Sequence, residues 1–154
     1  MESLTGEFRI TLDDKNRLSL PARLRSALAD IKLHLTQGLD DCLWLYPDDE
    51  WKKLEKTIMD TTNSFRSKDR NIRRRIIGPR QDVEIDKQGR IPVPPSLREF
   101  AGLSKDCVVL GQYDYIEIWA EDRYRAYLTA NEEDFISGSE ELGDLLKGNK
   151  DTVR

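Results

Sequence analysis

The chain contains an internal repeat. When the sequence is displaced by 73 residues along itself, Leu12–Pro21 falls on Ile85–Pro94 without a gap. The same register still holds towards the end of each copy, where Leu43–Tyr46 falls on Ile116–Trp119. A period that is kept over a whole copy is typical of duplicated structural units. We therefore expect two copies of one small fold unit in tandem.

Each copy predicts the same order of elements. An alternating run, Phe8–Leu12 or Val83–Ile85, is typical of a half-buried strand. The polar turn that follows places Asn16 or Gly89 where a positive φ is expected. A second strand, a short helix that starts at a proline, another strand pair and an acidic helix start complete the copy. One copy is too small to bury both faces of its strands, so the predicted fold is α+β, with two pseudo-symmetric β-rich repeats interleaved into a barrel or sandwich and peripheral helices.

The chain divides into four predicted parts: a first repeat (6–52), a helical, basic linker arm (53–80), a second repeat (81–128) and an acidic C-terminal helix and tail (129–154). Thr61–Ser64 is expected to divide the linker into two helices. Apolar linker residues, Phe65, Ile72 and Ile76 among them, predict a surface that a neighbouring subunit covers. Beyond Asn131 the chain is acidic and contains glycines, which predicts a short amphipathic piece and then a frayed tail.

The net charge of −4 conceals two opposite blocks. Arg66–Arg80 contains seven basic residues and one acidic residue, whereas Asn131–Asp144 contains six acidic residues and no basic one. Because the signs are segregated, the net charge does not exclude a nucleic-acid partner. Two interpretations of the basic segment stay open: binding of DNA phosphate, or contact with the acidic tail of a neighbouring subunit.

The sequence predicts neither a membrane protein nor an enzyme. No apolar run has the length of a membrane helix, and the first residues do not resemble a signal peptide. Cys42 and Cys107 are isolated, which favours buried free thiols in a reducing cytoplasm. His34 is the sole histidine, and no metal cluster, phosphate loop or nucleophile elbow is present. We expect no catalytic residue, metal, cofactor or small-molecule substrate.

A motif with the pattern Asp-x-x-x-Arg occurs once in each copy, as Asp13 to Arg17 and as Asp86 to Arg90. A guanidinium group can bind a guanine edge with two hydrogen bonds or bind a phosphate. Alternatively, each arginine pairs with the aspartate of its own turn. The two interpretations are compatible, since the aspartate can orient the arginine. The repetition favours DNA contact by Arg17 and Arg90, with Asp13 and Asp86 orienting the turns.

Further basic residues surround the two motifs. Lys15 and Lys87 lie near the tips of the turns and are expected to contact phosphate, which supplies affinity without specifying sequence. Arg25 and Arg98 recur on the short helices and are weaker candidates for DNA contact. For Arg23, a solvent-exposed helix face is an equal alternative.

The duplicated motif, followed in each copy by proline and then by Leu-Arg, resembles the MraZ family, tandem-repeat members of the AbrB-type swapped-hairpin superfamily. The matching segments are Asp13–Arg25, Asp86–Ile91, Leu97–Leu103 and Leu45–Pro47 with Trp51. The resemblance covers about residues 6–147. It implies a bacterial transcription factor, usually a repressor, which binds short repeated sites on double-stranded DNA upstream of the division and cell-wall gene cluster that encodes it.

The resemblance also implies a ring of several copies of the chain, located in the cytoplasm and associated with the nucleoid. Two residues depart from the family pattern. Asn16 replaces the usual glycine of the first turn but tolerates a left-handed conformation. Ser96 stands where the first copy has Arg23, which predicts a weaker phosphate contact in the second copy. An oligomeric interaction protein or antitoxin-like DNA-binding module that acts through its acidic tail is the alternative function.

Overall fold

A computed structural model describes the backbone of residues 3–153 and the side chains of residues 3–148. Within this part of the chain, the strands are β1 (Glu7–Thr11), β2 (Arg17–Ser19), β3 (Leu33–Gln37), β4 (Leu43–Pro47), β5 (Gln81–Val83), β6 (Arg90–Pro92), β7 (Asp106–Gly111) and β8 (Ile116–Ala120). The helices are α1 (Ala22–Ala27), α2 (Asp48–Thr61), α3 (Ser67–Ile72), α4 (Pro95–Ala101), α5 (Glu121–Ala130) and α6 (Glu132–Val153). A π-helical turn, Arg73–Ile77, follows α3 directly.

The two repeats are interleaved strand by strand. One antiparallel sheet has the order β1-β7-β8-β4-β3-β5, and β2 pairs with β6 in a separate two-stranded ribbon. Among the six strand pairings of the described residues, four join strands of different repeats: β1·β7, β3·β5, β4·β8 and β2·β6. These pairings confirm the predicted α+β class.

The strand register has pseudo-twofold symmetry. In the ribbon, Leu18 lies opposite its own repeat equivalent, Ile91. In the large sheet, Trp44 lies opposite its repeat equivalent, Glu117. A pair of equivalent residues can face each other in this way only on a twofold axis. The axis therefore passes through the centre of the ribbon and the centre of the sheet.

Apolar side chains from both repeats form one core. Leu18 and Ile91 of the ribbon are fully buried, as are Leu97 of α4 and, within 1%, Leu24 of α1. Burial of each such side chain contributes about 1.5–3 kcal/mol. Successive residues of a strand point to opposite faces, so burial of Leu18 and Ile91 turns the flanking ribbon residues outwards. One face of the ribbon thus packs on the core, and the opposite face, which carries the flanking residues, is directed away from it.

The linker forms helix α2, then α3 and the π-helical turn. The C-terminal end of α2 is bound by Arg73, whose Nε donates to Thr62 Oγ1 at 2.7 Å and whose Nη2 donates to the Thr62 carbonyl at 2.8 Å. The expectation that a neighbouring subunit covers Ile76 is wrong, because Ile76 is 2% exposed within its own chain. Phe65 differs, since it is 91% exposed.

A buried histidine joins the start of α2 to the end of the linker. His34 Nε2 lies 2.7 Å from Asp48 Oδ1, and its Nδ1 lies 2.7 Å from Arg80 Nη1. Arginine can only donate, so Nδ1 accepts and Nε2 carries the proton that is donated to Asp48. The ring stacks on Trp51 at a centroid distance of 5.5 Å. Asp82 Oδ1 lies 3.6 Å from Nδ1 and also binds Arg80.

The acidic C-terminal segment is more regular than expected. Helix α6 continues through Gly138, Gly143 and Gly148, so the expected short piece with a frayed tail is wrong for the described backbone. A helical glycine costs about 1 kcal/mol relative to alanine, and strong helix formers separate the three glycines: Glu140, Glu141 and Leu142 before Gly143, and Leu145, Leu146 and Lys147 before Gly148. The chain divides into two units, Met1–Glu121 and Asp122–Arg154. No helix among residues 3–153 is both long and apolar enough to cross a membrane.

Candidate nucleic-acid interface

The first Asp-x-x-x-Arg turn is closed by the aspartate side chain. Asp13 Oδ1 accepts hydrogen bonds from the backbone N–H groups of Lys15 and Arg17, both at 2.9 Å. Asp13 Oδ2 accepts from Arg17 Nε at 2.8 Å. Asn16 has φ 58°, in the left-handed region. The aspartate therefore fixes both the backbone of the turn and the direction of the arginine side chain.

The second turn repeats this arrangement. Asp86 Oδ1 accepts from the backbone N–H groups of Gln88 and Arg90 at 2.9 Å, and Oδ2 accepts from Arg90 Nε at 2.9 Å. Gly89 has φ 80°. The ion pair within each turn is thus present in the structure. It occupies the Nε atom of the guanidinium group and is compatible with DNA contact through the terminal nitrogens.

The environment keeps both aspartates ionised. The backbone N–H of Arg17 is the largest of the causes that hold the pKa of Asp13 below its ordinary value, and the Arg17 side chain adds to it. The backbone N–H of Arg90 does the same for the pKa of Asp86. Each turn therefore keeps its charge-assisted hydrogen bonds at neutral pH.

The ribbon brings the two turns together. The backbone N–H of Leu20 donates to the Gly89 carbonyl at 2.9 Å, and that of Val93 donates to the Asn16 carbonyl at 3.1 Å. In β2·β6, Arg17 lies opposite Pro92 and Ser19 lies opposite Arg90. Both arginines flank the buried Leu18–Ile91 pair and therefore share the outer face of the ribbon.

Two lysines extend from the turns. Lys15 and Lys87 are exposed, and no hydrogen bond or ion pair joins either side chain to a described residue. They are not repeat equivalents, since Lys15 aligns with Gln88 and Lys87 aligns with Asp14. Each turn thus offers one exposed lysine side chain without a described partner, at a different position in the turn.

The helix arginines have other partners. Arg25 Nη1 lies 3.4 Å from the Gln88 carbonyl, and its side chain lies directly against Gly89. Arg98 donates from Nη1 to the Val93 carbonyl at 2.6 Å. The exposed Arg23 donates to Thr5 Oγ1 at 2.6 Å. The structure places Arg25 beside the second turn and directs Arg98 to the backbone of its own repeat.

Two residues of this site are absent from the sequence-based prediction. Gln88 Oε1 accepts from Arg90 Nη2 at 3.0 Å, and Thr5 binds Arg23. In addition, Arg90 Nη1 lies 3.7 Å from Asp13 Oδ2 in the other repeat. The alignment of Gln88 with Lys15 gives no signal for such a role, and the contact between Arg90 and Asp13 depends on how the repeats interleave.

The Arg66–Arg80 segment is largely used inside the fold. Besides Arg73 and Arg80, Arg75 donates to the carbonyls of Gly38 at 3.0 Å and Asp40 at 3.1 Å, and Arg70 donates to Ser64 O at 3.2 Å. Arg74 is exposed and binds Asn71 at 3.3 Å. The segment thus has a structural role that neither sequence-based interpretation included. In the part of the chain whose side chains are described, no group of three or more potential ligands could hold a metal ion.

Comparison with known proteins identifies the family. A family model with the description "MraZ protein, putative antitoxin-like" matches residues 3–75 and again residues 76–145. A protein of Treponema denticola named transcriptional regulator MraZ is 44% identical over 92% of this chain and 99% of its own length. Proteins with the same name from Treponema pallidum and Halothermothrix orenii are 46% and 40% identical, over 93% and 91% of this chain and 96% of their own lengths.

The chain belongs to the MraZ family. The two MraZ matches meet between residues 75 and 76, inside the π-helical turn. Each match therefore contains one Asp-x-x-x-Arg turn. The repeat in the sequence and the repeated family match describe the same duplication.

Proposed function

We propose that the protein is a sequence-specific DNA-binding transcriptional regulator. The observation that carries the proposal is the presence of two aspartate-oriented arginines, Arg17 and Arg90, on the outer face of one two-stranded ribbon. The relatives of Treponema and Halothermothrix are named transcriptional regulators, which supports it.

A two-stranded ribbon is narrow enough to enter the major groove of B-form DNA. There, Arg17 and Arg90 contact guanine edges or phosphate, while Asp13, Asp86, Asn16 and Gly89 hold the turns in shape. Lys15, Lys87 and, at the edge, Arg23 contact phosphate, with Arg25 and Arg98 supporting the surface. Bound at promoter repeats of the division and cell-wall gene cluster, such a protein represses by excluding the transcription machinery.

The active form is a homo-oligomer larger than a dimer, such as a ring, in the cytoplasm and associated with the nucleoid. Exposed apolar side chains support self-association: Phe65 in the linker, and on α6 Phe135, Ile136, Leu142, Leu145 and Leu146. Residues 6–52 and 81–128 act as the DNA-binding repeats, 53–80 as the linker and 129–154 as the assembly segment. Each chain offers few basic side chains for contact with DNA, so tight binding requires several chains of one oligomer to act together.

An antitoxin-like interaction protein is the second candidate. Helix α6 supports it, because three acidic residues fill its first turn and its apolar side chains are exposed. A partner protein that binds this helix could account for both features.

The deciding experiment is a gel shift with the DNA immediately upstream of the protein's own gene. We expect a specific complex for the wild type. Arg17→Ala and Arg90→Ala should each weaken it, by about 1–3 kcal/mol where a base contact is lost, with normal melting. An unchanged affinity in both variants would contradict the assignment. Absence of any specific complex would favour the interaction protein.

A further inference from the structure

The two turns differ in one respect that the sequence repeat conceals. We propose that Arg17 determines base specificity and that Arg90 is a positioning residue, which acts on Arg17 through Asp13. The inference rests on the proposed function and deepens it, because it narrows the base contact to Arg17 and gives Arg90 a role within the protein.

Arg17 has its terminal nitrogens available. Its Nε is bound to Asp13 Oδ2 at 2.8 Å, and no described residue binds Nη1 or Nη2. A guanine edge presents two acceptors, O6 and N7, that pair with two guanidinium nitrogens. Because the bond from Nε to Asp13 fixes the guanidinium group, Nη1 and Nη2 of Arg17 are oriented but have no described hydrogen-bond partner.

Arg90 has all three nitrogens engaged. Nε donates to Asp86 at 2.9 Å, Nη2 donates to Gln88 Oε1 at 3.0 Å, and Nη1 lies 3.7 Å from Asp13 Oδ2. A guanidinium group carries five N–H groups, so Arg90 retains donors on Nη1 and Nη2, but their directions are set by Gln88 and Asp13. Turning these donors towards a base would disturb both contacts, whereas the terminal nitrogens of Arg17 have no contact with a described residue to disturb.

Asp13 links the two arginines. The same carboxylate oxygen, Oδ2, faces Arg17 Nε at 2.8 Å and Arg90 Nη1 at 3.7 Å. Arg90 therefore helps to hold the acceptor that orients Arg17. The reverse link is absent from the described contacts, because Asp86 binds Arg90 alone among the arginines.

The backbone of the second turn is also supported from the first repeat. Arg25 packs on Gly89 and approaches the Gln88 carbonyl. Its repeat equivalent, Arg98, binds Val93 instead. The second turn is thus held by the first repeat, which suits a positioning role, whereas the first turn carries no equivalent arginine.

The test is selection of duplexes from a random DNA library by the full-length wild type, Arg17→Lys, Arg90→Lys and the double variant. Lysine keeps the charge but cannot form the two-pronged contact. We expect Arg17→Lys to lose about 5- to 150-fold of base preference at one position of the selected motif. Arg90→Lys should show a smaller loss at that same position, and no further loss when it is added to Arg17→Lys.

Asp13→Asn and Asp86→Asn form a matched pair of turn variants, useful if Arg90→Lys does not fold. We expect Asp13→Asn to reduce the base preference at the Arg17 position strongly and Asp86→Asn to reduce it weakly. Losses at two different positions, one for each arginine, or equal losses in the two aspartate variants, would overturn the inference. Failure of the wild type to select any motif would instead refute the proposed function itself.

Discussion

The side chain of Arg25 in the first repeat lies so close to Gly89 in the second that a β-carbon at position 89 would collide with its Cδ and Nη1 atoms. Gly89 also has φ 80°, a backbone conformation that residues other than glycine rarely adopt. Its repeat equivalent, Asn16, has φ 58° and accommodates a side chain. Both the φ and the contact with Arg25 therefore favour glycine at position 89, whereas only the φ favours it at position 16, where asparagine tolerates the left-handed conformation.

We expect Gly89→Ala to destabilise the protein more than Asn16→Ala. The left-handed conformation costs a β-carbon about 1–2 kcal/mol, and displacement of Arg25 adds to this cost at position 89 only. Chemical denaturation of both variants measures the difference. In an Arg25→Ala background the excess cost of Gly89→Ala should disappear; if it persists, Arg25 is not its cause.

Arg75→Ala should destabilise the fold by about 2 kcal/mol, because Arg75 donates to two backbone carbonyls and lies over the ring of Phe100 at 4.8 Å. Arg74→Ala removes the same charge from an exposed neighbour and should change stability by less than about 0.5 kcal/mol. Thermal melting of the two variants makes the comparison. Equal effects would show that the segment stabilises the protein through its charge alone.

Acid should weaken the junction at His34. The hydrogen bond from His34, followed by that from Lys52, lowers the pKa of Asp48 from 3.8 to about 2. Since the folded-state pKa is depressed, its stabilisation is fully present above pH 3.8 and is lost as pH falls towards about 2. The stability difference between wild type and Asp48→Asn should therefore shrink over this window. Asp49→Asn, which makes the same charge change at the next residue but leaves the hydrogen bond between His34 and Asp48 in place, is the matched control.

Light scattering should show a particle larger than a dimer. Phe65 is 91% exposed, so Phe65→Ser should leave the melting temperature unchanged but shift the distribution to smaller species. Leu39→Ser, at a residue that is 57% exposed, serves as the control and should not alter the particle. A wild type that is monomeric at micromolar concentration would refute self-association.

DNA with several copies of the site should bind far more tightly than DNA with one copy. Linked contacts within one particle can gain about 10²–10⁴-fold in affinity. The affinity should also fall steeply with salt, with a log–log slope of about 0.9 for each phosphate neutralised. Titration of one-site and multi-site duplexes at two salt concentrations measures both effects. Equal affinity for one site and for several would exclude avidity.

Contacts within one turn of the site can be predicted from the sequence, whereas contacts between the two repeats cannot. Asp13 and Arg17 are four residues apart in one turn, so their pairing follows from spacing alone. Arg25 and Gln88 are separated by 63 residues, and their contact exists only after β2 has paired with β6. No sequence pattern within either segment predicts that Arg25 and Gln88 meet.

The linker and the C-terminal helix show a second kind of limit. Apolar spacing indicated that Ile76 is covered but could not tell whether its own chain or a neighbour covers it; its own chain does. Glycine composition suggested an irregular tail, yet α6 is continuous through Gly143. The interleaving of the two repeats, in contrast, followed from the duplication and from the need to bury both faces of short strands.

Because four of the six strand pairings in the described residues join different repeats, each half of the chain completes the other. An assembly of two identical short chains could reach a similar sheet, but any mutation would then occur twice. Fusion removes that constraint. Asn16 against Gly89 and Arg23 against Ser96 show that the halves have already diverged. The two ends of the proposed DNA-binding surface can thus change separately within one gene, and the protein can then recognise a DNA site that is not a palindrome.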